Sequence, residues 1–225
     1  DRLDLRSGSR LLEIGCGWGA RAERAVERHD VIYTGITLSP AQAEVADRRL
    51  NAVDLSSRSA IELCDYRGAV GPYAAIASVE MVEGVGQAYW PAYLDAIAGL
   101  LRPGGRAAIQ YILISDALFE RYAASTDFIQ AYIFPGGCLM SESRFRALAE
   151  ERGLAWRDVH RFGRDYAETL RQWRERFDAA VADGRLPAGF DERFVRLWRY
   201  YLQYCEGGFR GGGIDVAQVT LEKTA

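Results

Sequence analysis

The chain has 225 residues, of which 49% are hydrophobic, and a formal net charge of −3 at pH 7. This size and apolar content suit one large domain with its own core, and the small negative charge excludes a strong electrostatic attraction to nucleic acid. The four cysteines and two histidines show no spacing typical of a disulfide framework or a metal site, and no apolar run reaches the ~18 residues of a membrane span. We therefore expect a reduced, cytoplasmic protein that binds no metal.

The hydrophobic pattern alternates between strand and helix periodicity along the first half of the chain. In chain order it predicts a strand over 10–14, a helix over 20–28, a strand over 31–36, a helix over 40–50, strands over 59–63 and 73–79, a helix over 88–101, and a strand over 106–114. Ser39 and Pro40 are typical N-cap and N1 residues for the second helix. Residues 102–105 (RPGG) predict a turn that ends the third. Such alternation predicts a parallel sheet flanked by helices, with the wholly apolar strand 73–79 at its centre.

Residues 115–135 and 166–206 depart from this alternation and have helical composition. The second segment carries aromatic residues at helical spacing, namely Trp173, Phe177, Phe194, Trp198, Tyr200, Tyr201 and Tyr204. They fit either an ordinary core or the lining of a pocket for a long apolar ligand. No linker or repeat separates these segments from the rest, so we expect a single domain over 1–225 with a helical cap.

A glycine-rich motif follows the first predicted strand. Residues 11–19 read LLEIGCGWG, with Gly15, Gly17 and Gly19 at alternate positions and Glu13 just before them. Glycines at a strand-to-helix turn let a ligand lie on the backbone at a helix N-terminus. The spacing differs from the G-x-G-x-x-G of dinucleotide sites and resembles the first motif of S-adenosylmethionine (SAM) methyltransferases. A purely structural tight turn is the alternative interpretation.

Further segments resemble, in the same order along the chain, one family of SAM-dependent enzymes. The segments are GCGWG at 15–19, GITLS at 35–39 with Gln42, DYR at 65–67, SVEMVEGVG at 78–86, DFIQ at 127–130, YIFPGGCL at 132–139, FGRDY at 162–166 and YYL at 200–202. They resemble the cyclopropane-fatty-acyl-phospholipid synthases and mycolic acid cyclopropane synthases. The resemblance implies an α/β, Rossmann-like class I SAM methyltransferase fold. Its mostly parallel seven-stranded sheet would have helices on both faces and a helical cap insertion.

The resemblance also implies a set of cofactor-binding residues. They are Glu13, Gly15, Gly17, Gly19, Thr37, Leu38, Gln42, Asp65 and Tyr66. Glu13 and the three glycines would hold the methionine and ribose end of SAM. Thr37, Leu38 and Gln42 would contact the ribose and adenine, and Asp65 and Tyr66 would border the adenine. Alternatively, Asp65 is a turn residue and Tyr66 a packing aromatic.

In the family a bicarbonate ion acts as the base, and the resemblance places four residues of this chain around it: Glu83, Gln110, Ile112 and Tyr166. Tyr166 could instead serve packing alone. Two positions depart from the family, because Gln110 and Gly84 stand where many members have His. The helices that precede the glycine motif in the family, and the Cys they supply to the ion, have no counterpart here, so we expect the chain to be part of a longer protein.

Three functions follow from these patterns. The leading one is a cyclopropane synthase that transfers a methylene from SAM to the cis double bond of unsaturated phospholipid acyl chains. A cation would form on the acyl chain and lose a proton as the ring closes. The second is a fatty-acid C-methyltransferase that leaves a methyl or methylene branch, and the third an inactive SAM- or lipid-binding module. A phospholipid substrate further implies peripheral contact with the inner membrane.

Overall fold

The structure, a computed structural model, describes residues 2–224 and contains a seven-stranded sheet within them. The strands are β1 (Arg10–Ile14), β2 (Ile32–Thr37), β3 (Ser59–Leu63), β4 (Tyr73–Val79), β5 (Leu101–Ile114), β6 (Leu154–Arg161) and β7 (Ile214–Lys223). Their order in the sheet is β3-β2-β1-β4-β5-β7-β6, mostly parallel with one antiparallel hairpin. This is the predicted Rossmann-like α/β architecture.

Helices alternate with the strands in the first half of the chain and follow one another in the two segments after β5 and β6, as the sequence predicts. They are α1 (Ala20–His29), α2 (Pro40–Asn51), α3 (Trp90–Leu100), α4 (Asp116–Ala123), α5 (Phe128–Tyr132), α6 (Glu142–Glu150), α7 (Gly163–Ala182) and α8 (Glu192–Arg210). Ser39 caps α2 by accepting a hydrogen bond from the Gln42 N–H at 3.3 Å, with Pro40 in the first turn, as predicted. None of the helices described between residues 2 and 224 is long and apolar enough to cross a membrane.

The centre of the sheet is β1 and β4, which pair in parallel with Leu11 opposite Ala75 and Ile14 opposite Ser78. Strand β4 is buried along most of its length, as its predominantly apolar sequence predicts. The chain runs outward from β1 to β3 on one side and then returns to β4 on the other. Strand order therefore reverses between β1 and β4, and ligands of open α/β sheets bind outside the carboxyl ends of strands at such a point.

The prediction was wrong about where β5 begins. Residues 102–105, expected as a turn, lie inside this strand, which starts at Leu101. Its pairing with β4 is irregular there, since Tyr73 lies opposite Leu101 but Ala75 lies opposite Arg106. A Cβ on Gly105 would lie 2.8 Å from the Arg102 carbonyl oxygen. The Pro-Gly-Gly composition thus supports a tight irregularity within a strand rather than a break between elements.

The chain divides into two compact units. The described part of the first comprises residues 2–111, 143–160 and 218–224. Its core packs α1 and α2 against the sheet and is formed by Leu11, Ala22, Ala25, Val26, Val31, Tyr33, Leu50, Ala75 and Ala77. A single domain over 1–225 stays a prediction, because two compact units can still fold as one domain.

The second unit comprises Ile112–Glu142 and Arg161–Ala217 and contains the segments predicted as a helical cap. Its buried residues Leu170, Leu202 and Phe209 pack helices α7 and α8 together. The aromatic residues at helical spacing divide between core and surface. Phe177, Trp198 and Tyr201 pack against the buried cluster, whereas Trp173, Tyr200 and Tyr204 are exposed.

Candidate functional site

A cavity of about 680 Å³ lies in the first unit, where β1 to β4 end. It is lined by Ile14, Gly15, Ile36, Thr37, Leu38, Ser39, Gln42, Cys64, Asp65, Tyr66, Arg67, Met81, Gly84, Val85 and Tyr89. Six of the nine predicted cofactor-binding residues are in this lining. The cavity occupies the position that the reversal of strand order marks for a ligand, and its volume suits a small molecule of nucleoside size or larger.

Gly15 forms the cavity wall at the end of β1. Its φ of 78° lies in the left-handed region that glycine adopts without strain. The N–H groups of Gly15 and Cys16 both donate to the Ile36 carbonyl at 3.0 Å, which ties the turn to β2. A Cβ on Gly15 would lie 3.2 Å from Met81 Cγ. The glycine therefore lets the turn pass close to the residues that follow β4.

Gly17, Gly19 and Glu13 do not line the cavity. Gly19 lies against α2, since a Cβ there would be 3.0 Å from the Cβ of Ala46. Glu13 is 3% exposed and accepts hydrogen bonds from Arg21 Nε at 2.8 Å and the Tyr33 hydroxyl at 2.5 Å. The Glu13 carboxylate thus links the end of β1 to Arg21 of α1 and Tyr33 of β2. A direct contact between Glu13 and a cofactor stays a prediction.

Burial dominates the electrostatics of Glu13. Desolvation raises the pKa of its carboxyl above the usual value, although the charge of Arg21 and the hydrogen bond from Tyr33 act in the opposite direction. Burial, together with the charge of the Glu13 carboxylate, raises the pKa of the neighbouring Cys16 thiol to about 11. Cys16 is therefore a protonated, unreactive thiol at neutral pH.

Polar groups from the end of β2 and the start of α2 form another wall. The Thr37 hydroxyl donates to Gln42 Oε1 at 2.8 Å and accepts from the Ser39 N–H at 3.1 Å. This arrangement turns the amide oxygen of Gln42 toward Thr37, so that its Nε2 group can donate to a ligand. Leu38, 71% exposed, adds an apolar surface between these polar groups.

The residues after β3 supply an aromatic ring and a fixed charge pair. Asp65 accepts from both Nε and a terminal nitrogen of Arg67 at 2.8 Å, and the Arg67 guanidinium holds the pKa of that carboxyl below its usual range. Tyr66 is buried and meets Tyr93 edge to face, with ring centroids 5.6 Å apart. Asp65 accepts from the Arg67 N–H as a turn residue does, and its side chain also borders the cavity.

Two of the four residues predicted around the anion belong to the first unit. Glu83 lies in a short 3-10 turn, Val82–Gly84, and its Oε2 atom is buried. Gln110, near the end of β5, donates through Nε2 to Glu80 Oε1 at 2.8 Å and accepts from Gln218 Nε2 at 3.0 Å. Gln110 is thus held by neighbouring side chains at both ends of its amide.

The other two belong to the second unit. Ile112, two residues after Gln110 on β5, is partly buried and packs against the cluster of α7 and α8. Tyr166, in the first turn of α7, packs against the same cluster, with its ring centroid 5.1 Å from that of Phe209. The packing interpretation of Tyr166 therefore has direct support, and its proposed contact with an anion stays a prediction.

Sequence reasoning did not assign several residues that shape the site, and four of them supply distinctive side chains. Met81, Arg67 and Tyr89 line the cavity, and Glu80 joins the end of β4 to Gln110. A signal existed for Glu80 and Met81, because both directly follow the central buried strand. Arg67 follows the predicted pair Asp65 and Tyr66, but its ion pair depends on side-chain geometry that sequence spacing does not show.

Comparison with known proteins identifies the relatives of the chain. The sequence model of the mycolic acid cyclopropane synthetase family matches residues 1–219. Tuberculostearic acid methyltransferase UfaA1 of Mycobacterium tuberculosis is 43% identical over 222 residues, which are 98% of this chain and 52% of the relative. The cyclopropane-fatty-acyl-phospholipid synthase of Escherichia coli K12 is 35% identical over 224 residues, or 99% and 56% of the two chains. The chain thus spans about half the length of these two relatives.

The fold has close counterparts among solved structures. Mycolic acid cyclopropane synthase CmaA1, in a complex with SAH and CTAB, superposes with a TM-score of 0.90 and 29% sequence identity. The superposition covers 99% of this chain and 80% of that structure. These values confirm the predicted methyltransferase fold.

Proposed function

We propose that this chain, which belongs to the mycolic acid cyclopropane synthetase family of SAM-dependent methyltransferases, modifies unsaturated phospholipid acyl chains with a one-carbon unit from SAM. The observation that carries this proposal is the cavity at the ends of β1 to β4, whose lining contains six of the residues predicted to bind SAM. Because the chain spans about half the length of its relatives, the activity of a whole protein of that kind is part of the proposal.

The cavity has the groups that each part of SAM requires. Tyr66 and Leu38 offer apolar surface to an adenine ring, and the amide of Gln42 offers a donor to ribose oxygens. The backbone at Gly15 admits close approach of the methionine part. SAM bound there supplies an electrophilic methyl group on its sulfonium sulfur. The chain's own part is to hold that group in line with the acceptor and to keep water away from it.

The second unit offers an apolar environment suited to an acyl chain. Helices α7 and α8 contribute Tyr166, Phe177, Trp198 and Tyr201, all partly buried around the cluster of Leu170 and Leu202. Partly buried aromatic side chains can repack around a long hydrocarbon, which is excluded from water in the same way as the core. We assign the acyl chain to this unit.

Ring closure giving a cyclopropane is the outcome that we propose first, as the sequence predicts. A specific observation favours the second candidate, in which the acyl chain keeps a methyl or methylene branch. The chain is more similar to a tuberculostearic acid methyltransferase, at 43% identity, than to the E. coli cyclopropane synthase, at 35%. Gln110 and Gly84 replace histidines common in the family, but neither residue by itself decides between the two outcomes.

Mass spectrometry of lipids from a host that expresses the protein tests the proposal. We expect phospholipid acyl chains heavier by one CH₂ group, the balance of a methyl group gained and a proton lost. Fragmentation distinguishes a ring from a methylene branch or from a methyl group on a retained double bond. Calorimetry should show SAM binding that Gln42→Ala weakens roughly three- to tenfold, as expected for one lost hydrogen bond, while Gln203→Ala, an exposed change on α8, has no effect. Unchanged lipids together with SAM binding would leave only the binding-module function, and absence of both would refute the proposal.

A further inference from the structure

Glu80 stands at the carboxyl end of β4 with a left-handed backbone, its φ being 53°. For a glutamate this conformation is uncommon and costs energy, so its surroundings must hold it. Two contacts with Gln110 do so. The Glu80 N–H donates to the Gln110 carbonyl oxygen at 2.8 Å, and Gln110 Nε2 donates to Glu80 Oε1 at 2.8 Å. Glu80 is therefore fixed between the ends of β4 and β5.

Gln110 belongs to a row of hydrogen bonds that all point the same way. Arg2 Nε donates to Gln218 Oε1 at 3.2 Å, and Gln218 Nε2 donates to Gln110 Oε1 at 3.0 Å. Each amide turns its NH₂ group toward Glu80, so the row leads from a guanidinium group to a carboxylate. Hydrogen bonds in such a row polarise and orient one another, which fixes the amide of Gln110.

These contacts do not fit the bicarbonate ion that the family resemblance implies. The Gln110 NH₂ group, predicted to donate to the anion, donates to a carboxylate of the chain instead. A second anion beside Glu80 would be repelled by its charge, and a neutral glutamine cannot offset that repulsion as a protonated histidine could.

We propose that Glu80, held by Gln110, takes the place of bicarbonate as the carboxylate that accepts the proton lost by the acyl cation, so that product formation does not depend on added bicarbonate. As the C–H bond beside the cation breaks, the proton passes to Glu80 and the electron pair forms the ring or the new double bond. The inference rests on the proposed function and names a property that distinguishes this protein from family members that use the ion.

The test measures methyl transfer from labelled SAM to vesicles of unsaturated phospholipid, in carbonate-free buffer and with added bicarbonate. The wild-type rate should be the same in both. Glu80→Gln keeps a hydrogen-bond acceptor for Gln110 but cannot take up the proton, and it should lower kcat roughly hundredfold, as expected when a proton acceptor is removed. The KM for SAM should not change, and Glu62→Gln, an exposed change on β3, should behave as wild type.

A second measurement does not need turnover. Binding of ¹³C-labelled bicarbonate, followed by NMR line broadening, should be absent in the wild type and present in the double variant Glu80→Gly with Gln110→His. The glycine suits the left-handed backbone, so this variant should fold. Added bicarbonate should also restore part of its activity.

Three outcomes separate a failure of this inference from a failure of the proposed function. A wild-type rate that falls on removal of bicarbonate would overturn the inference while leaving methyl transfer established. Bicarbonate binding to the wild type as tight as to the double variant would also overturn it, whether or not transfer is detected. Absence of transfer in both buffers would overturn the proposed function, and the NMR measurement would still decide the role of Glu80.

Discussion

Glu13 shows how one residue type can have two meanings in a sequence. An acidic residue just before a glycine-rich turn predicts a ligand contact, yet its carboxylate is bound to Tyr33 and Arg21 beneath the turn. The sequence could not reveal this, because Tyr33 and Arg21 come from other elements and meet Glu13 only when β2 and α1 are in place. Thr37, Gln42 and Tyr66 were easier to predict as cavity residues, because Thr37 ends β2 and the other two lie in the first helical turn after β2 and after β3.

The burial of Glu13 gives the protein a pH-dependent stability. Its pKa is raised above the ordinary value of 4.5, so the folded state binds this proton more tightly than the unfolded chain does. The stability from that difference is fully present below about pH 4.5 and is lost as the pH rises through the folded pKa. We expect Glu13→Gln to lose less stability than the wild type between about pH 4.5 and pH 7.

Urea denaturation at a series of pH values measures this difference. The comparison concerns the slope with pH, because the substitution also changes the contact with Arg21. Glu27→Gln, an exposed change on α1, should follow the wild-type curve. Parallel curves for wild type and Glu13→Gln would show that Arg21 and Tyr33 fully offset the burial.

At the scale of elements, prediction succeeded where a segment is long, apolar and followed by a clear turn. Strands β1, β3 and β4 have the predicted bounds. Strand β5 begins five residues before its predicted start at 106, because a Pro-Gly-Gly sequence can form an irregularity within a strand as well as a turn. Strands β6 and β7 received no predicted bounds. Strand β6 forms one edge of the sheet and β7 lies between β6 and β5, positions that depend on pairing between distant segments.

The contact between α1 and α2 makes a sharp prediction about the glycine turn. Gly19→Ala places a Cβ 3.0 Å from the Cβ of Ala46 on a backbone with φ of 79°, so it adds overpacking to backbone strain. We expect it to lower the free energy of unfolding by about 2–4 kcal/mol. Gly17→Ala has a φ of 54° but meets nothing within 4 Å, and should cost only about 1–2 kcal/mol.

Urea denaturation of the two variants without ligand measures the difference. Equal losses would mean that α1 and α2 can move apart at Ala46 without cost. A larger loss for Gly17→Ala would contradict the assignment of Gly19 to helix packing.

At the scale of the whole molecule, the proposed substrate requires peripheral contact with a membrane. Tyr132 and Phe134, in and just after α5, are 64% and 56% exposed. Gln130 Nε2 donates to the Gly137 carbonyl at 3.0 Å and so holds the segment that presents them. Exposed aromatic side chains on an anchored segment are suited to the interface of a bilayer.

Sedimentation with vesicles of unsaturated phospholipid tests this contact. Phe134→Ser should weaken vesicle binding roughly tenfold, since burial of a phenylalanine contributes about 1.5–3 kcal/mol. Val70→Ser, a change at a 78% exposed apolar residue of the first unit, should have no effect. No sedimentation of the wild type, with or without anionic lipid, would exclude the contact. Equal losses of vesicle binding in both variants would indicate nonspecific hydrophobic association instead.

The strand order at the centre of the sheet also determines at which stage of folding the cavity can form. Strands β1, β2 and β3 are neighbours both along the chain and in the sheet, so they can pair soon after synthesis. The partner of β1 on its other side is β4, and Leu11 pairs with Ala75, 64 positions further along the sequence. Such distant pairings form slowly during folding. The cavity wall that contains Met81 therefore forms after the walls that follow β1, β2 and β3. A ligand can stabilise the completed sheet but cannot promote the earliest strand pairing.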